Sequence, residues 1–176
     1  MQKWGWFVAG AIGFALTSTT LHAGPGQGRT DGGRSTAVEL SAGGATFLDE
    51  APITHRVFAG SVRTGITPRL NIGPEVVATS GRDGQHQSVT VNLAFDLLPA
   101  ATVRTGRVTP FLIAGGGLFR SSGRLNGVSF AHLEGAVTGG GGARVWISDH
   151  VYVAGELRAG WEPHLRATGT IGVRLR

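Results

Sequence analysis

A chain of 176 residues with 41% hydrophobic and 15% charged residues has the length of one domain, and its lack of cysteine excludes disulfide staples, cysteine-zinc sites, thiol nucleophiles and a lipidated N-terminal cysteine. The net charge of +5 raises nucleic acid as a partner, but the only lysine is Lys3 and the arginines stand as dispersed singles, so no nucleic-acid partner is expected. Thirty glycines against seven prolines, without a collagen period, fit tightly curved strands better than helices, where an interior glycine costs about 0.5–1 kcal/mol relative to alanine.

Residues 1–23 read as a secretory signal peptide: a short positive start ending at Lys3, an uncharged apolar stretch over 4–16, and a polar stretch closing on Ala23. The apolar stretch is shorter than the roughly 20 residues of a spanning helix, so cleavage after Ala23 is expected rather than a permanent anchor. Residues 24–36 (GPGQGRTDGGRST) offer nothing apolar to a core and are expected to form a flexible lead-in.

From Ala37 onward the pattern has period two, the repeat of a strand whose alternate residues face opposite ways. Weaker segments at 37–47 and 57–66 precede a clearer one, in which Leu70, Ile72, Pro74, Val76 and Ala78 share a face opposite Asn71, Glu75 and Thr79. The clearest places Val89, Val91, Leu93, Phe95 and Leu97 against Ser88, Thr90, Asn92, Ala94 and Asp96. A segment at 109–119 follows. The next, at 129–147, sets His132, Glu134, Thr138 and Arg144 against Leu133, Val137, Ala143, Val145 and Ile147, with the glycines at 139–142 expected to mark a bulge or bend. Near Val151, the residues Val151, Val153, Leu157, Ala159 and Trp161 oppose Tyr152, Glu156 and Arg158. At the end, Leu165, Ala167, Ile171, Val173 and Leu175 oppose Arg166, Thr168, Thr170 and Arg174. Turns are expected at 49–55, 67–68, 80–87, 99–107, 120–127, 148–150 and 162–164, which makes about eight strands.

The polar faces carry Glu39, Glu75, Asp96, Glu134 and Glu156 together with Arg63, Arg144, Arg158, Arg166 and Arg174, five acids and five arginines. Turned inward, these ten groups would form a balanced charge network in a narrow lumen, where arginine forks satisfy carboxylates and neither meets hydrocarbon. The expected fold is therefore all-β, an antiparallel up-and-down transmembrane barrel over 37–176. An interior of that size is just filled by side chains, so no open pore is expected.

The segments Asn71-Ile-Gly-Pro-Glu75, Thr109-Pro-Phe-Leu-Ile-Ala-Gly-Gly-Gly117, Gly139-Gly-Gly-Gly-Ala-Arg-Val-Trp146 and Gly155-Glu-Leu-Arg158 resemble the recurring strand motifs of small OmpA/OmpX-like outer-membrane β-barrel domains. The resemblance spans about Ala37 to Leu175. It implies a monomer in the bacterial outer membrane, surrounded by lipid and inserted by the barrel-assembly machinery, with a structural or surface-contact role. Two departures stand out: the chain ends Leu175-Arg176 rather than on an aromatic residue, and aromatics are only 7% of the chain, leaving a thin interfacial girdle expected from Phe58, Phe95, Phe111, Phe119, Trp146 and Trp161.

Two other readings differ in class: a lipid-modifying barrel enzyme and a secreted soluble β-domain. For the first, His86-Gln-Ser88 puts a base and a nucleophile on one strand face, but no acid follows at a persuasive distance to orient the histidine. His132 with Glu134 reads as structural, and Asp149-His150 as part of a tight turn. The glycine runs lack the lysine and following helix of a nucleotide loop, and the histidines lack metal-ligand spacing, so no catalytic residue, cofactor or metal is expected.

Overall fold

The computed structural model of the protein describes residues 35–48, 53–81, 84–98, 108–125, 128–161 and 164–175. The signal peptide expected at 1–23 and nearly all of the lead-in lie outside them; Thr36, assigned to the lead-in, is the first residue of a strand.

Eight strands follow in order: β1 (Thr36–Phe47), β2 (Ile53–Gly65), β3 (Leu70–Ser80), β4 (Gly84–Asp96), β5 (Val108–Leu125), β6 (Val128–Trp146), β7 (Val151–Gly160) and β8 (His164–Leu175). Each pairs antiparallel with the next, and β8 pairs with β1, so the sheet closes into an up-and-down barrel with no free edge. Following directly paired residues round the barrel from Thr36 through Thr64, Ile72, Leu93, Ala114, Gly139, Ala159 and Leu165 returns to Thr46, ten residues further along β1. With eight strands, that stagger tilts the strands by about 40° to the axis.

Alternation then sorts side chains by chemistry, the reverse of a soluble domain. On β4, Val89, Val91, Leu93 and Phe95 are exposed by 42–55%, while Thr90, Asn92 and Ala94 are buried. Leu40, Phe58, Leu112, Leu133, Val137 and Leu157 continue the exposed apolar surface round the other strands. From Val89 to Leu97 the apolar stripe covers about 20 Å of axis, at about 3.3 Å per residue and the tilt above. A contiguous apolar surface of this extent costs far too much in water to be left uncovered.

Several strands run further than expected. Strand β2 begins at Ile53, so His55 belongs to a ladder and not to a turn; β4 begins at Gly84, leaving only 81–83 as the β3–β4 connection. Strand β5 continues to Leu125, so 120–125 are strand rather than loop. Ladder hydrogen bonds belong to the backbone, and polar residues extend the pairing past the point where the hydrophobic alternation fades. At the end holding both strand termini, two turns share one device. Thr67 Oγ1 accepts from the amides of Arg69 and Leu70, and Ser148 Oγ accepts from those of His150 and Val151.

The glycines of β6 mark no bulge: pairing with β5 and with β7 runs in unbroken register through 139–142. They serve close approach instead. A Cβ on inward-facing Gly140 would run into the carbonyl oxygen of Leu157, and one on Gly73 into that of Val62, so a tightly coiled small barrel requires glycine at both.

Candidate functional site

The inward faces of all eight strands meet in a lumen whose side chains form layers. All ten charged residues singled out from the sequence lie on these inward faces. Six of them join into one chain of contacts. Arg63 Nε donates to Glu39 Oε2 at 2.6 Å, and its Nη2 reaches Glu156 Oε2 at 3.4 Å. Arg158 pairs with Glu156 through Nε and with Glu75 Oε2 through Nη2 at 2.8 Å. Arg166 Nη2 lies 2.6 Å from Glu75 Oε1 and 3.4 Å from Glu156 Oε1. Three carboxylates thus face three guanidinium groups, each with side-chain exposure of 10% or less. Ion pairing at this depth offsets desolvation only when the remaining donors and acceptors are also met.

Neutral groups supply several of those contacts, while Arg63 Nη1 is left without a hydrogen-bond partner. Ser61 Oγ donates to Glu39 at 2.6 Å, and Tyr152 donates its hydroxyl to the other oxygen of Glu39. Asn92 donates to Glu75 at 2.9 Å and accepts from Arg158 at 3.1 Å. Sequence reasoning put Tyr152 and Asn92 on polar faces without assigning them to the network; their inward parity was the available signal.

Nearer the strand termini, Asp96 accepts from Arg144 at 3.0 Å and from Asn71 at 3.2 Å. The Arg144 guanidinium lies over the rings of Phe111 and Tyr152, and that of Arg174 lies 3.9 Å from the ring centroid of Trp146. Among the described residues Glu134 and Arg174 join no ion pair, so the ten residues form a six-membered network, a separate pair and two others.

The aromatic girdle expected at six positions is corrected at three of them. Phe111, Phe119 and Trp146 are buried inside the barrel at 2%, 8% and 6% exposure, while Phe58, Phe95 and Trp161 face outward. The interior rings have work that lipid cannot supply. Phe111 and Trp146 receive arginines, and Phe119 joins a layer of rings at the end away from the strand termini.

That layer comprises Phe47, His55, His86, Phe119 and His164. His86 stacks on Phe119 with ring centroids 5.5 Å apart and meets His55 edge-on at 5.1 Å; Phe47 lies 4.9 Å from His86 and 5.4 Å from His164. His86 and Ser88 therefore share the inward face of β4, behind the barrel wall and not toward the apolar exterior. Between this layer and the charge network, Glu75, Thr90, Arg158 and Arg166 border a cavity of about 30 Å³, room enough for water. His132 is exposed on β6, and His150 belongs to the turn built on Ser148. Among the described residues, no group of three histidine, aspartate or glutamate side chains is arranged to hold a metal ion.

No family model matches the sequence, and no curated protein matches it. The fold, in contrast, is closely similar to solved structures. The N-terminal β-barrel domain of OprF from Pseudomonas aeruginosa aligns with a TM-score of 0.65 at 12% identity, covering 81% of this chain and 99% of that one. Neisserial surface protein A aligns equally well, with a TM-score of 0.65 at 12% identity over 81% of this chain and 97% of its own. The attachment invasion locus protein Ail of Yersinia pestis gives a TM-score of 0.53 at 12% identity, over 83% and 100%. The chain has the fold of these small eight-stranded outer-membrane barrels.

Proposed function

We propose that this chain is an exported, integral barrel of the bacterial outer membrane, non-enzymatic and without an open pore, that contributes to envelope structure or surface contact. One observation carries the reading: a closed barrel with an apolar exterior and a lumen filled by ion pairs. Such a surface is stable only against hydrocarbon, and such an interior only when its charges are paired and kept from lipid. The surface-contact part also draws on two of the similar structures, whose names describe a surface protein and an attachment protein. Lipid and the barrel-assembly machinery are the partners this reading requires, and the closed sheet leaves no edge through which a second copy could pair. His86 and Ser88 face inward on β4, with His86 packed in the ring layer and not toward surrounding lipid, which supports the non-enzymatic reading.

The test is accessibility within the membrane. Single cysteines at Val91, Leu93 and Phe95 are expected to react with a lipid-phase label, and those at Thr90, Asn92 and Ala94 are not. Equal labelling of both sets, or recovery of the chain in periplasmic fluid without detergent, overturns the reading. Purified protein in planar bilayers should likewise give no large, stable single-channel current; such a current would show that the network and ring layer do not block the lumen.

A further inference from the structure

The membrane-facing surface has one exception to its neutrality. Every described acid on a strand, Glu39, Glu75, Asp96, Glu134 and Glu156, faces the lumen, and so do Arg63, Arg144, Arg158, Arg166 and Arg174. Among the residues whose side chains are described, two arginines break this rule. Arg56 on β2 and Arg120 on β5 lie on the outward parity and are exposed, and among the described residues neither has an acidic partner. Both stand at the end of the barrel away from the strand termini.

Register shows that their height is no accident of one strand. Across β2, β3, β4 and β5, directly paired outward residues read Gly60, Val76, Val89, Leu118 on one rung, then Phe58, Ala78, Gln87, Arg120, then Arg56, Ser80, Gln85, Ser122. Because the sheet closes with a ten-residue stagger, each rung climbs about 3 Å along the axis per strand from β2 to β5, and with that climb Arg56, Ser80, Gln87 and Arg120 stand within about 5 Å of one another in height, beyond Gly60, Val76, Val89 and Leu118. That is the boundary between hydrocarbon and headgroup, and among the described residues the polar groups on it are all neutral or cationic. A guanidinium here would lose hydration to the apolar rung beneath it unless an anion approached from the membrane side. The anion present at that depth of a bilayer is lipid phosphate, which the planar fork of arginine matches in charge and geometry.

We propose that the outward face of β2–β5, at the end away from the termini, binds the phosphates of anionic lipids, one at Arg56 and one at Arg120, with Ser80, Gln85, Gln87 and Ser122 as neutral hydrogen-bonding neighbours. The proposal rests on the membrane reading above. With the termini on the periplasmic side, the lipid so bound is in the outer leaflet.

The experiment uses purified barrel in nanodiscs of mixed phosphatidylcholine and phosphatidylglycerol, with retained lipid counted by native mass spectrometry. Wild type is expected to keep phosphatidylglycerol over phosphatidylcholine, and each of Arg56→Gln and Arg120→Gln to reduce that preference roughly fivefold. Arg56→Lys, which keeps the charge, should retain most of it. Arg69→Gln, at the opposite end of the barrel, should leave it unchanged. A double Arg56→Gln, Arg120→Gln variant with undiminished preference overturns the proposal, as does an equal loss from Arg69→Gln. Displacement of the lipid by inorganic phosphate would overturn the lipid as the source of the anion. Wild-type protein that folds in the discs without lipid preference sinks this inference alone; wild-type protein that does not insert sinks the membrane reading with it.

Discussion

Glu156→Gln is expected to destabilise the barrel by about 3–5 kcal/mol, the largest effect of any single change of side-chain charge in the lumen. Glu156 is the one carboxylate that meets three guanidinium groups, those of Arg63, Arg158 and Arg166. Glutamine keeps the volume and removes the charge, leaving three buried cations opposite two carboxylates. The loss should appear in urea unfolding from detergent micelles or vesicles as a lower midpoint with an unchanged slope. Arg63→Met combined with Glu156→Gln restores the balance of charge, and the two costs should add to less than their sum. A loss below about 1 kcal/mol for Glu156→Gln would mean that the network is hydrated and contributes little, as surface pairs do.

Leu93→Arg tests the other face of the same wall. Leu93 sits on β4 in the middle of the exposed apolar stripe, so a guanidinium there enters hydrocarbon and should cost about 2–4 kcal/mol. The informative comparison is with depth. Leu97→Arg, just beyond the end of β4 and at the rim of the stripe, should cost only about 0–1 kcal/mol, because the charge reaches the interface. A soluble sandwich with this face in its core would be damaged by Leu93→Arg as well, but without that gradient along the barrel axis. Unfolding measured in vesicles for arginine at positions 91, 93, 95 and 97 distinguishes them; a flat profile would contradict a lipid-facing surface.

The two variants act on opposite sides of one strand wall, and that division was legible in the sequence. A residue's face depends only on its parity within a strand, a local property, so Val91, Leu93 and Phe95 separate from Thr90, Asn92 and Ala94 without any knowledge of their neighbours. The same local rule, repeated in segment after segment, pointed to a closed antiparallel barrel of eight strands. Composition did not distinguish lipid-facing from lumen-facing aromatics. Phe111, Phe119 and Trp146 are hydrophobic by type and inward by parity, and they belong inside because arginines and other rings meet them there.

What the sequence determined by itself was therefore strand polarity, strand number and the set of charges sharing the polar faces. Tertiary structure alone decided which of them meet. The contact of Arg63 with Glu156 joins β2 to β7, and that of Arg158 with Glu75 joins β7 to β3, both across the lumen between strands that are not paired. Such contacts depend on the ten-residue stagger with which the sheet closes, and no local pattern encodes it. The ring layer of Phe47, His55, His86, Phe119 and His164 arises in the same way, from the ends of β1, β2, β4, β5 and β8 brought to one height. Parity is fixed by the geometry of one residue and the next, whereas register is fixed by closure of the whole barrel.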